Sequence, residues 1–320
     1  MSLVVTSDLM QYGPVAKAAT VYLTQYQSLP IEGTTQLRGD LYGLRLSPAT
    51  VRRSITQAAE VLAPTVTRIA EALVAAPVAH FDEFGQRVGG RLRWLLAAVT
   101  AVLSGYGAHD RRGQTAMDDF GILPRFAGVA VHDGRAPYQG YACTHAVCNA
   151  HHLRELVFLA ETIGQVWLQQ MIELLCAAKT DHARQGQSAL TGKRLRDYRR
   201  RYETILATGE RLNPEAVRIE RRRGRVKQSA TVNFLGPLRR YTDDVLRFLH
   251  DPSVPFDNNQ AERDIRMPEL KQKVSGCFRT TPGADAFCLT RSYLATMRKQ
   301  GRDLFHSLIL SQLPQPVLSR

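Results

Sequence analysis

A change of hydrophobic rhythm at Pro77 constrains this chain more than any other feature. Upstream, residues 13–76 repeat apolar positions with helical spacing. Downstream, residues 78–87 and 91–100 carry the apolar, β-branched and aromatic texture of strands. Gly89-Gly90 between them makes the shortest hairpin turn, where glycine accepts the positive φ that such turns need. A third strand is expected over 101–107, a short helix over 114–120 and a fourth strand over 128–132, ending at Asp133-Gly134. Three antiparallel strands, a helix and a fourth strand follow the opening order of the ribonuclease H-like fold. In that fold the first and fourth strands lie side by side, so acids on them can meet.

The expected class is therefore α/β: an RNase H-like mixed sheet flanked by helices, with an N-terminal helical region and a helical insertion between the second and third candidate acids. Residues 1–76 read as a helical, helix-turn-helix-like DNA-binding region. A helix over 34–41 runs into Gly43, and Ser47-Pro48 starts the next with serine as N-cap and proline in the first turn. Arg52 and Arg53 lie early on that second helix, where such units read DNA. Helix hairpins of this outline also serve packing alone. A separate helix is expected over 63–76. Residues 77–144 form the first part of the core, 145–234 a helical insertion with a basic loop, and 235–320 the last part of the core with C-terminal helices.

Charge narrows the partner. The chain has 42 Lys+Arg against 29 Asp+Glu, a net +13, which draws polyanions by counterion release. Residues 193–227 alone hold thirteen basic against five acidic residues. Within them Arg223-Gly224-Arg225 has the outline of a minor-groove hook, with a solvated loop as the plain alternative. The five cysteines are odd in number and lack a repeating spacing, so no disulfide framework is expected. No basic-then-apolar leader is visible, and the longest apolar stretch, 95–103, is far too short to span a bilayer. These features point to a cytoplasmic protein that does not enter a membrane.

Three acids invite a chemical reading. Asp82 lies in an apolar strand between Phe81 and Phe84, where a carboxylate needs a cation, either an arginine or a metal. Asp133 ends an apolar strand ahead of Gly134, as an exposed functional acid or as a turn cap. Further on, Asp257 suits an N-cap, Gln260 completes a capping box, and Pro268 ends or kinks the helix that follows. Glu262 lies in the second turn and by itself reads as a surface residue; Asp264 points about 200° around the helix from it. Cys143-x-His145-x₂-Cys148-x₂-His151 has three readings: a structural zinc site, support for a site at Asp133, or packing.

The stretch DNNQAERDIR at 257–266, the downstream KQKVSGCFRTTPGADAFCLTRSYLATMRKQG and CNAHHLREL at 148–156 resemble transposases of the insertion sequence 66 family. The likeness takes in QYGP, HFDEFGQRVGGRLRW and GILPRFAGVAVHDG and covers nearly the whole chain. It implies an RNase H-like catalytic core with an insertion after the second acid, and a DDE triad of Asp82, Asp133 and Glu262. The implied activity is metal-dependent cleavage at transposon ends and strand transfer into target DNA. Two Mg²⁺ ions would serve it, with Mn²⁺ as a substitute; Asp82 would bridge both, and Asp133 and Glu262 would each hold one. Cys148 and His151 match a Cys-x₂-His pattern that supports such sites. Arg263, Arg266, Lys271, Lys273 and Arg279 follow the third acid as DNA contacts, beside Arg52, Arg53, Arg223 and Arg225. The expected partners are double-stranded DNA, at element ends and target, a second copy of the chain on that DNA, and element-encoded accessory proteins. A second reading, of another class, is a catalytically impaired, truncated relative acting as a DNA-binding protein or repressor.

Overall fold

The computed structural model describes residues 12–185, 190–216 and 226–312. Helices α1 (Pro14–Val21), α2 (Ile31–Tyr42) and α3 (Pro48–Val74) precede strands β1 (Val78–Val88), β2 (Arg91–Val99) and β3 (Ser104–His109). Then come α4 (Gln114–Phe120), β4 (Val129–His132) and β5 (Thr144–Val147). Helices α5 (Asn149–Ile163), α6 (Val166–Gln185), α7 (Gly192–Leu212) and α8 (Ala230–Arg240) follow, with short α9 (Thr242–Val245) and α10 (Arg247–His250). The described chain closes with α11 (Asn259–Ser275), α12 (Thr281–Lys299) and α13 (Leu304–Gln312). The fold is α/β, with a five-stranded mixed sheet in the order β3-β2-β1-β4-β5.

The chain divides into two compact units. One comprises Met1–Ala75, Asp82–Arg125 and Gln260–Arg320, and the other Ala76–Phe81 and Phe126–Asn259. Strand β1 contributes its first residues to the second unit and the remainder to the first.

In the first unit, Gly89 and Gly90 take φ values of 56° and 80°, as the hairpin turn between β1 and β2 requires. Strands β2 and β3 pair antiparallel from Trp94↔His109 to Val99↔Ser104. The third strand thus starts three residues later than its sequence suggests, because Thr100 accepts the Val102 and Leu103 amides and turns the chain first. Leu95, Val99 and Tyr106 bury against Ala261 and Ile265 of α11 and Phe287 of α12. A second cluster joins α1, α3, α12 and α13 through Val21, Leu62, Leu294 and Leu308. The helices expected on either side of residue 63 are one 27-residue helix, α3, which runs through Pro64. A proline inside a helix costs about 3 kcal/mol. Burial of Ala58, Ala59, Leu62, Ile69 and Leu73 on one continuous face offsets it.

In the second unit, β1 and β4 pair in parallel: Val78↔Val129, Ala79↔Ala130 and His80↔Val131. Gly128 sets this approach, since a Cβ there would lie 2.5 Å from the carbonyl oxygens of both Ala76 and Pro77. The stretch from 145 onwards does not begin as a helix. Thr144–Val147 is β5, parallel to β4, and α5 starts only at Asn149. The pairing of Val131 and His132 with Ala146 and Val147 overrides the local helical texture. Helices α5 to α8 pack around fully buried Trp167, Leu168, Met171, Tyr202 and Leu206, and the Tyr202 hydroxyl donates to the Leu238 carbonyl at 3.0 Å. Among the described residues no helix is long and apolar enough to cross a membrane.

Candidate active site

Asp82 is half-buried within β1, and its carboxylate accepts the Glu83 amide at 2.8 Å. Glu83 itself meets Arg112 at 2.5 Å, and the Arg112 guanidinium lies 4.2 Å over the Trp94 ring. Of the two adjacent acids, Glu83 therefore has a structural partner of its own.

The backbone just ahead of Asp82 is held by Asn258, which is 1% exposed. Its side-chain amide donates to the Phe81 carbonyl at 2.9 Å, and its oxygen lies 2.9 Å from His80 Nδ1. Its own N–H points to Cys148 Sγ at 3.1 Å. Asn258 thus ties the strand segment ahead of Asp82 to Cys148, the N-cap of α5. Sequence reasoning missed Asn258, although it lies inside the DNNQAERDIR motif. The available signal was the Asn258-Asn259 pair ahead of a helix, where only one asparagine can cap.

Asp133 is the first residue after β4, and Gly134 turns the chain with φ 82°. The carboxylate accepts the Arg135 amide at 3.2 Å and meets its guanidinium at 2.5 Å. Beside it, His132 is fully buried and stacks on Tyr138 with centroids 4.5 Å apart. The tautomers follow from their partners. Gly134 N–H donates to His132 Nδ1 at 3.0 Å, so His132 Nε2 carries the proton and donates to His145 Nδ1 at 3.1 Å. His145 Nε2–H then donates to the Tyr141 carbonyl at 3.1 Å. Burial, and then the neighbouring His145, push the His132 pKa down to about 3, which keeps this ring neutral. Both nitrogens of His145 are engaged, so the zinc reading of the Cys143-to-His151 stretch loses a ligand.

Cys148 is buried and its N–H continues the ladder to the His132 carbonyl at 2.8 Å. His151 follows in the first turn of α5, half-buried, with its N–H on the Cys148 carbonyl. Next to it, His152 has its Nδ1 3.2 Å from the Asn149 side-chain oxygen, and Asn149 donates to the Val245 carbonyl at 2.9 Å.

Glu262 lies partly buried in the first turn of α11, one turn earlier than expected because the helix starts at Asn259. The Asp257 carboxylate accepts the amide of Asn259, the first residue of the helix, as an N-cap side chain does, and Lys179 stands 3.8 Å away. Gln260 does not close a capping box, since its amide reaches forward to Asp264 at 3.2 Å. Asp264 also takes the Ser104 hydroxyl at 2.9 Å and the Lys299 ammonium at 2.5 Å, and Lys299 donates to the Thr100 and Leu103 carbonyls. Pro268 neither ends nor interrupts α11. It is buried on the same face as Ala261, Ile265 and Lys271, whose helical spacing carries the element to Ser275.

Of the expected DNA contacts, Arg52, Lys271 and Arg279 are brought to one pocket in the first unit. Arg53 is exposed on α3, Arg263 and Arg266 are exposed on α11, and Lys273 pairs with Glu269 at 2.9 Å. Arg223 and Arg225 lie outside the described residues. The sequence model of DDE transposases described as "Transposase IS66 family" matches residues 10–286. Comparison with curated proteins finds no match.

Proposed function

The chain belongs to the IS66 family of DDE transposases, and from this we propose that it cleaves phosphodiesters at transposon ends and joins the freed strands to target DNA. We assign the chemistry to Asp82, Asp133 and Glu262. The observation that carries this reading is the register of β1 on β4. Val129 faces Val78, Ala130 faces Ala79 and Val131 faces His80. Asp82 follows this paired segment on β1, and Asp133 follows β4. The strand order β3-β2-β1-β4-β5 supports an RNase H-like core for the sheet. In this reading residues 77–144 and 235–320 form that core, 145–234 an insertion and 1–76 a DNA-binding region.

Glu83 pairs with Arg112, and Asp264 with Lys299 and Ser104, contacts that tie those two acids into the packing of their unit. The proposed set consists of carboxylates alone, hard oxygen donors that suit Mg²⁺ or Mn²⁺. When bound, a pair of such ions supplies activation of the attacking oxygen and stabilisation of the leaving one. The protein's own residues do the positioning. Asn258 fixes the backbone ahead of Asp82, and buried His132, hydrogen-bonded to the Gly134 amide and to His145, fixes the turn at Asp133. The Arg135 guanidinium pairs with the Asp133 carboxylate and offsets its charge. Cys148 and His151 support this arrangement from the start of α5. Double-stranded DNA is the substrate, bound by a homodimer and aided by element-encoded proteins.

The test uses the purified protein with a labelled duplex carrying an end of its element, in Mg²⁺ or Mn²⁺. Nicked and joined products are expected, and Asp82→Ala, Asp133→Ala and Glu262→Ala abolish both while leaving DNA binding intact. Salt-sensitive binding without cleavage in either metal would instead identify a non-catalytic DNA-binding protein.

A further inference from the structure

In the first unit a pocket of about 280 Å³ opens between the start of α3, the C-terminal half of α11 and the start of α12. Its cations are Arg52, Lys271 and Arg279, and its single acid is Glu32. Lys271 is only 9% exposed. Its ammonium has the Ser275 hydroxyl at 3.1 Å and the Phe278 and Phe287 rings at 4.1 and 5.5 Å. No carboxylate among the described residues pairs with it. A buried cation held by a hydroxyl, aromatic faces and the nearby Cys277 thiol, with no carboxylate among the described residues, is a costly arrangement, since none of these is a full counter-charge. Burial accordingly pushes the Lys271 pKa down to about 8. Arg52 and Arg279 are exposed and have no ion pair among the described residues. The N-terminus of the 19-residue helix α12 also borders the pocket, with its Gly283 amide taken by Thr280 at 3.2 Å.

We propose that this pocket binds a phosphate group of a nucleic-acid strand, with Lys271 as its buried cation and Arg52 and Arg279 as its exposed ones. The inference rests on the DNA-acting function above and adds a specific subsite to it. A phosphate supplies the counter-charge that Lys271 lacks, and two guanidiniums match phosphate oxygens in fork geometry. The positive end of α12 adds to the attraction. Ile55 and Phe278 line the same pocket and offer an apolar wall to a sugar or base.

Lys271→Met keeps the unbranched apolar stem, one atom shorter, and removes the charge. It is expected to leave the unfolding temperature unchanged or raised, and to weaken binding of a labelled duplex about tenfold. The slope of log affinity against log salt falls by about 0.9 for each phosphate that is no longer neutralised, and Arg52→Ala with Arg279→Ala lowers it further. A lower unfolding temperature with unchanged DNA affinity would make Lys271 a structural residue and overturn the proposal. Inorganic phosphate provides a separate arm. If the wild type binds no DNA yet phosphate raises its unfolding temperature and not that of Lys271→Met, the pocket takes free phosphate, and the nucleic-acid assignment falls together with the DNA-acting function. If neither DNA nor phosphate distinguishes the two proteins, the pocket is not an anion site.

Discussion

At the residue scale the decisive contrast lies between Glu262 and Asp264, neighbouring acids of α11 with opposite surroundings. Asp264 is enclosed by Ser104 and Lys299, with side-chain exposures of 14% for the acid and 12% for the lysine, and it ties α11 to β3 and α12. Glu262 is partly buried in the first turn of α11, where its neighbour Ala261 and Ile265 one turn on fill the core. Removing one partner of a mostly buried ion pair costs about 3 kcal/mol. Asp264→Ala is therefore expected to lower unfolding stability by about that amount, whereas Glu262→Ala changes it by less than about 1 kcal/mol and abolishes strand cleavage. Denaturant unfolding and a nicking assay on both variants check this. Equal stability loss in the two would remove the distinction. Sequence had already separated the pair by angle around the helix, but it could not show that Lys299, from a distant part of the chain, meets Asp264.

At the scale of elements, alternation and turn residues located β1, β2, β4 and α4 to within a residue or two. The misses share one cause. Helices α3 and α11 run through prolines that should stop them, because each proline sits in a helix with a continuous buried face. Strand β5 forms where the sequence reads as helix, because its backbone partners lie on β4. Local propensity amounts to a few kcal/mol at most over such stretches, and burial of a whole face exceeds it. The β1–β4 pairing has its own local requirement at Gly128. A methyl group there would meet two backbone carbonyls at 2.5 Å, which no side-chain rotation relieves. Gly128→Ala is expected to destabilise the protein by about 2–3 kcal/mol, as overpacking does, and to reduce cleavage with it. Unfolding in urea measures the first effect; a shift below about 0.5 kcal/mol would mean the strands move apart freely.

At the scale of the whole molecule, the second unit holds several histidines kept neutral by burial. The His152 pKa is pushed down to about 4, first by burial and then by His151, and burial also lowers those of His182 and His250. An unfolded histidine titrates near about 6.5. Between that value and the lowered folded values the unfolded chain binds more protons, so stability is complete above about pH 6.5 and declines as pH falls. The unfolding temperature should drop from pH 7 to pH 5, and His152→Gln should flatten that slope. A temperature that holds constant or rises over this range contradicts the assignment.

Local sequence was enough for the α/β class, the polyanion-seeking charge, the positions of β1, β2 and β4 and the family. These depend on periodicity, composition and long ordered motifs, which are properties of neighbouring residues. Folding in three dimensions was needed to see which acids are taken up by packing, that Asn258 braces the strand ahead of Asp82, and that Arg52, Lys271 and Arg279 share one pocket. Those facts depend on groups far apart in the chain, as when the Ser104 amide finds the Thr296 hydroxyl across 192 positions. A side chain's partner is set by where the folded backbone brings it, and local sequence carries no record of that distance.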